Sequence, residues 1–175
     1  MFDFKLHVFH TIAKPLNLLL MKKSFIVLCT MLFVCQALKA QSLSEAEKKN
    51  KAFTGTEATK KEYYAIYQLD NNDAKIIEKA IRNINNALND PRLKGKLHIE
   101  LIAFAGGTEV NLKGGKYESD LKALVENGVI VAQCNNSLKE RKISPDQLYD
   151  FIAIVPSANG ELILRQAEGW SVIKP

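Results

Sequence analysis

The sequence predicts an α/β protein: a three-layer α/β/α sandwich around a mostly parallel five-stranded sheet. Two observations carry that expectation. Five short runs of β-branched, aromatic and aliphatic residues recur between Tyr63 and Ile173. Between them lie blocks whose apolar residues fall at three-and-four spacing, the period of an amphipathic helix. Strands alternating with helices argue a parallel sheet covered on both faces. Right-handed crossovers then bring the ends of all the strands to one edge.

The elements follow in order. Tyr63-Tyr64-Ala65-Ile66-Tyr67-Gln68-Leu69 is the first strand, punctuated by Asp70-Asn71-Asn72-Asp73. Asp73 can cap a helix in which Ile76, Ile77, Ala80, Ile81, Ile84 and Leu88 share one face, and Pro91 and Gly95 close that unit. Leu97 to Phe104 is the second strand, ended by Ala105-Gly106-Gly107. A connection containing Gly114-Gly115 leads to a helix from Ser119 to Glu126, with Leu121, Leu124 and Val125 inward and Gly128 as its stop. Val129 to Ala132 is the third strand, running into Cys134, and Asn135 to about Lys142 reads as a short helix. Ile143-Ser144-Pro145-Asp146 starts a further turn, and Tyr149 to Val155 is the fourth strand. Asn159 is expected to cap a helix through Ala167, and Gly169 to Ile173 is the last strand.

The chain ahead of this domain reads differently. Met21-Lys22-Lys23, the apolar run Ser24 to Cys35, and then Gln36, Lys39 and Ala40 have the layout of a secretory signal peptide. The apolar run is shorter than the roughly twenty residues that a membrane span needs. Phe33 and Val34 are too bulky for a lipobox before Cys35, which disfavours a lipoprotein. The expected organisation is an over-called extension at 1–20, a signal peptide at 21–40, a flexible polar arm at 41–61 with a short helix at Ser44–Lys51, and one α/β domain at 62–175. The expected destination is the periplasm, with no stable membrane insertion once the leader is cut.

Removing the leader changes two counts. The whole chain has 24 Lys and Arg against 19 Asp and Glu, with a pI near 9.0. Residues 1–40 hold five of those bases (Lys5, Lys14, Lys22, Lys23, Lys39) and one of the acids (Asp3). The mature part is left almost neutral, so a nucleic-acid partner is not expected. Cys29 and Cys35 leave as well, and Cys134 becomes the one exported thiol. It can form no intramolecular disulfide and no cysteine metal site.

Cys134 is the strongest chemical candidate. It sits where a strand passes into a helix, and the positive end of a helix dipole lowers a thiol's pKa. Asn135, Asn136 and Ser137 can cap that helix and hydrogen-bond a thiolate or a bound ligand. Gly106 and Gly107, at the end of the second strand, could cradle an anion with backbone amides. Neither GxGxxG nor a P-loop is present, so nucleotide binding is disfavoured and no cofactor is expected. Glu109 is a lesser candidate beside the glycines. His98 is the sole mature histidine, mid-strand, which argues a structural or surface role and leaves no histidine cluster for a metal. Glu161, Arg165 and Glu168 fall at i, i+4 and i+7, as on a solvated salt-bridge face.

The run Gly128-Val129-Ile130-Val131-Ala132-Gln133-Cys134-Asn135-Asn136-Ser137-Leu138 resembles the cysteine segment of the DsrE/DsrF-like family. The C-terminal segment Gly160 to Pro175 is similar to that family's closing segment, and Phe104-Ala105-Gly106-Gly107 also fits. The similarity spans about Tyr63 to Pro175 and is greatest to exported members. It implies a compact α/β/α domain that forms homo-oligomers, often trimers or hexamers, with a role near sulfur metabolism. In sulfur-relay members the matching cysteine accepts sulfur as a persulfide and passes it on, which would make Cys134 the sulfur-bearing nucleophile. Relay proteins meet cytoplasmic partners, whereas this chain reads as exported, so a cytoplasmic tRNA-thiolation role is not expected. Two functions are therefore expected to compete. One is a sulfur carrier or transferase exchanging with a donor or acceptor protein. The other is a non-catalytic ligand-binding or assembly protein in which Cys134 is structural.

Overall fold

The computed structural model of the protein describes residues 22–24, 26 and 42–175. The expected extension and signal peptide lie outside the described residues, apart from Lys22, Lys23, Ser24 and Ile26, which are helical. Among the described residues, no helix is long and apolar enough to cross a membrane. The chain divides into two compact units, Met1–Gly55 and Thr56–Pro175.

The described part of the first unit is built on α1 (Glu45–Lys51). Ser44 accepts the Glu47 amide while the Glu47 carboxylate accepts the Ser44 amide, a reciprocal cap that satisfies two otherwise orphaned donors. Acidic residues in the first turn and lysines in the last complement the helix dipole. None of its residues is buried.

The second unit holds the sheet. Its strands are β1 (Tyr63–Leu69), β2 (Leu97–Ala103), β3 (Ile130–Cys134), β4 (Ala153–Val155) and β5 (Ser171–Ile173). Its helices are α2 (Ala74–Leu88), α3 (Glu118–Glu126), α4 (Asn135–Arg141) and α5 (Ala158–Ala167). The order across the sheet is β4-β3-β2-β1-β5, and every pairing is parallel. The chain steps in one direction from β1 to β4 and then returns across the whole sheet to place β5 beside β1. With right-handed crossovers, that reversal sends the last helix to the opposite face from the earlier ones.

The packing bears this out. Ile77, Ile81 and Ile84 of α2 and Leu121 and Leu124 of α3 pack with Ala65, Tyr67, Leu69, Leu101 and Val131 in the main core. On the other face, α5 contributes Ala158 and Leu162 to a smaller cluster with Ile66, Ile102, Ala132, Cys134 and Trp170. Ile66 and Tyr67 point to opposite faces because successive strand residues alternate. The predicted sandwich and its five strands are therefore present, with helix cover much heavier on one side.

Several boundaries differ from the sequence reading, and three of them bear on the site. β3 covers Ile130–Cys134 instead of Val129–Ala132, so the thiol, expected at the strand's carboxyl end, is carried by its last residue. β4 covers only Ala153–Val155 instead of starting at Tyr149. Buried Tyr149 donates its hydroxyl to the Gly115 carbonyl at 3.0 Å and stacks on Phe151, outside the strand ladder. The cap of α5 is Ser157, whose Oγ accepts the Gly160 amide, and not Asn159. The connection after β2 is also more ordered than a plain turn, since Ala105–Asn111 forms a 3-10 helix.

Candidate functional site

Cys134 closes β3 and is itself the N-cap residue of α4, with extended backbone angles. The N-cap position expected to fall in Asn135-Asn136-Ser137 is thus held by the cysteine, with no side-chain capping bond. Its Sγ accepts the Ala158 amide, the first of α5, at 3.2 Å. β4 pairs Val155 with Cys134, so the turn Pro156-Ser157 carries the start of α5 directly over the sulfur. Two helices therefore begin at one thiol.

Burial pushes the thiol's pKa up. The amides of Ser137 and Ala158, the Ser137 hydroxyl and the Asn136 amide act against burial, and together they hold it below the ordinary cysteine value. Hydrogen bonds to the charged form win over desolvation because several donors converge on one sulfur. Cys134 is only 4% exposed, so it is a polarised thiol under cover.

Ser137 links this centre to the end of β2. Its Oγ accepts the Ala105 amide at 2.9 Å. Ala105 has φ +46, a left-handed conformation that a residue with a Cβ adopts at a cost. The strain turns the chain sharply out of β2 and brings its amide to Ser137. Gly106 and Gly107 follow in the 3-10 helix. A Cβ on Gly107 would lie 2.0 Å from the Leu69 carbonyl oxygen, and one on Gly106 would lie 3.2 Å from that of Asp70. The glycine pair lets this segment pass against the end of β1. It is placed at the carboxyl edge with Cys134, where open α/β sheets take their ligands.

The Asn136 backbone amide adds the smallest share to the lowering of the thiol's pKa, Asn136 itself is exposed, and Asn135 is the first residue of α4. Glu109 is on the same edge, paired with Arg141 of α4 at 2.8 Å and accepting from the Asn72 amide at 3.2 Å. Behind Cys134, on the main-core face, buried Gln133 accepts from Asn111 and donates to Thr108 and to the Cys134 carbonyl, each at 3.0 Å. That network fixes the backbone that carries the thiol. His98 is half exposed, stacks on Tyr64 and lies 3.7 Å from Glu62, a surface position far down β2.

One expectation is corrected. Glu161, Arg165 and Glu168 are not a solvated face. Arg165 reaches inward to the fully buried Glu100 of β2 with Nε 2.8 Å from Oε2, while also pairing with Glu161 at 2.9 Å and Glu168 at 3.4 Å. The i, i+4, i+7 spacing was visible, but its buried partner lies on a different element.

Sequence reasoning also missed Ala158 and Ser157. Serine is a common N-cap, and it stands two positions before the asparagine that was expected to serve. Nothing in the local sequence places that turn over Cys134. A cavity of about 230 Å³, lined by Tyr63, Tyr67, Ala87, Leu93 and Leu97 among others, lies at the amino ends of β1 and β2, away from the thiol.

A family model described as the DsrE/DsrF-like family matches residues 65–175. Among solved structures, the chain is similar to MTH1491 of Methanobacterium thermoautotrophicum, described as a protein of unknown function. The identity is 29% and the TM-score 0.62, covering 65% of this chain and 100% of that one. It also shares its fold with BT1422 of Bacteroides thetaiotaomicron, a conserved protein of unknown function, at 10% identity and TM-score 0.54 over 64% of this chain and 94% of that one. The ychN protein of E. coli shares the fold at 18% identity and TM-score 0.50, over 65% and 99%. A search of curated proteins gives no significant match.

Proposed function

Because this chain belongs to the DsrE/DsrF-like family, we propose that it is a thiol-dependent sulfur carrier whose sulfur-bearing group is Cys134. The observation that supports this reading is the hydrogen bond from the first amide of α5 to the Cys134 sulfur, at the point where α4 also begins, with Ser137 and Asn136 of α4 adding to the lowering of the thiol's pKa. Those donors favour an anion at that atom, and the chemistry needs one twice. The Cys134 thiolate attacks the outer sulfur of a persulfide R–S–SH. The new bond joins Sγ to that sulfur, the old S–S bond breaks, and R–S⁻ leaves with the electron pair and takes up a proton. An acceptor thiolate then attacks the outer sulfur of Cys134 persulfide, which releases Sγ as thiolate. No external oxidant or reductant is consumed. Asn135, Asn136 and Ser137 line one side of this site and Gly106 and Gly107 the other.

In this reading the leader directs the chain out of the cytoplasm, the mature protein works as a homo-oligomer, and the donor or acceptor is a thiol protein met there. The burial of Cys134 favours a second reading, a ligand-binding or assembly protein with a structural cysteine. Incubation with polysulfide, followed by mass spectrometry of the intact chain, separates them. The carrier gains the mass of one sulfur atom on Cys134, Cys134→Ser gains none and still folds, and a thiol such as glutathione removes the added sulfur. Wild-type protein that takes up no sulfur while folded leaves the structural reading.

A further inference from the structure

α5 is held on its face of the sheet by little apolar surface. Ala158 is buried and Leu162 half buried, while Ile163 and Leu164 point away and are exposed. The other inward positions of the helix, Glu161 and Arg165, are charged. Arg165 lies two turns beyond Ala158 on the same side, about 10 Å along the axis.

Its partner is unusual for a sheet position. Glu100 stands in β2 beside Ile66 of β1 and Ile130 of β3, fully buried, and its Oε2 takes the Arg165 Nε–H at 2.8 Å. Its other oxygen, Oε1, is sealed from solvent and has no hydrogen-bond partner among the described residues. A carboxylate in that setting is tolerated only when paired, so Arg165 cannot leave without stranding Glu100, whereas Arg165 itself keeps Glu161 and Glu168. The Arg165 guanidinium also lies over the Trp170 ring, 4.2 Å from its centroid, just past the end of the helix.

We propose that Arg165 is a positioning residue for the Cys134 thiol, acting through α5: the Glu100–Arg165–Trp170 latch sets the helix against the sheet so that its first amide, of Ala158, points at Sγ. The proposal rests on reading Cys134 as a reactive thiol for its consequence, and on geometry alone for the link. Glu100, Glu161 and Glu168 are the titratable groups facing Arg165, and they come from β2, from α5 and from the helix end. A pair of apolar residues would attach the helix as well. A charged pair with one allowed geometry fixes where the helix begins.

The test uses the full chain carrying Arg165→Met together with Glu100→Gln, so that no bare charge is left buried, and Arg165→Lys as the conservative variant. The rate of iodoacetamide modification of Cys134 is followed against pH in the folded proteins, and amide hydrogen exchange of Ala158 is measured alongside. In the double variant the midpoint of the pH profile rises by about one unit, a roughly tenfold loss of thiolate at neutral pH. Its limiting rate at high pH increases, and Ala158 exchanges about tenfold faster. Arg165→Lys, which keeps the charge without the flat stack on Trp170, falls between. Unchanged Ala158 exchange in a folded double variant overturns the proposal, because the Pro156-Ser157 turn would then hold that amide unaided. A wild-type thiol that reacts only on unfolding defeats the carrier reading instead, and the Ala158 exchange still decides the latch.

Discussion

At the scale of single residues, the site depends on positions where an ordinary side chain does not fit or where backbone donors replace side chains. Gly107→Ala would place a Cβ 2.0 Å from the Leu69 carbonyl oxygen, with backbone on both sides of the clash. The expected cost is about 3 kcal/mol, read as a lower urea midpoint. Gly106→Ala meets its nearest backbone atoms at 3.2 and 3.3 Å, and its expected cost is smaller. The glycine pair stood out in the sequence, but the reason for it did not, because the Leu69 carbonyl that requires Gly107 belongs to another strand. The thiol was legible in the same partial way. Its place at a strand end followed from the apolar run before it. The donors that shift its pKa include a backbone amide of α5, and a backbone amide has no sequence signature.

Elements show the clearest gap between pattern and packing. Spacing identified Glu161, Arg165 and Glu168 as one face of α5. Only the strand order, which carries α5 across the sheet by itself, turns that face onto Glu100. Arg165→Met alone strands Glu100, at an expected cost of about 3 kcal/mol in thermal or urea unfolding. Glu100→Gln is expected to cost less, since Arg165 keeps Glu161 and Glu168. The pH dependence has a definite sign. Burial raises the Glu100 pKa above the ordinary 4.5, outweighing the lowering by Arg165. An acid with a raised folded-state pKa stabilises the fold below its unfolded pKa and loses that contribution as pH rises through the folded value. The melting temperature of Glu100→Gln should therefore improve relative to wild type as pH is raised from about 4 towards neutrality. A difference that is constant with pH would mean that Glu100 titrates alike in both states.

For the whole molecule, the parallel sheet was readable from five apolar runs, because each crossover leaves its own helical block in the sequence. The unequal covering of the two faces was not, since it depends on the single reversal between β4 and β5. That reversal leaves Ile163 and Leu164 on the outside of α5, 68% and 61% exposed. If the mature protein is a homo-oligomer, this apolar surface is the place for a second copy to cover. Ile163→Asp should then lower the mass seen by sedimentation at unchanged melting temperature, and an unaltered mass would put the interface elsewhere. What the site reading stands on is a thiol of lowered pKa, reachable in the folded chain, at the carboxyl edge of the sheet. The deciding measurement is the pH profile of iodoacetamide modification of the intact wild-type protein. Cys134 is expected to react in the folded state, with a midpoint below that of an ordinary cysteine. Modification that begins only as the protein unfolds would show a thiol with no role in the folded chain's chemistry.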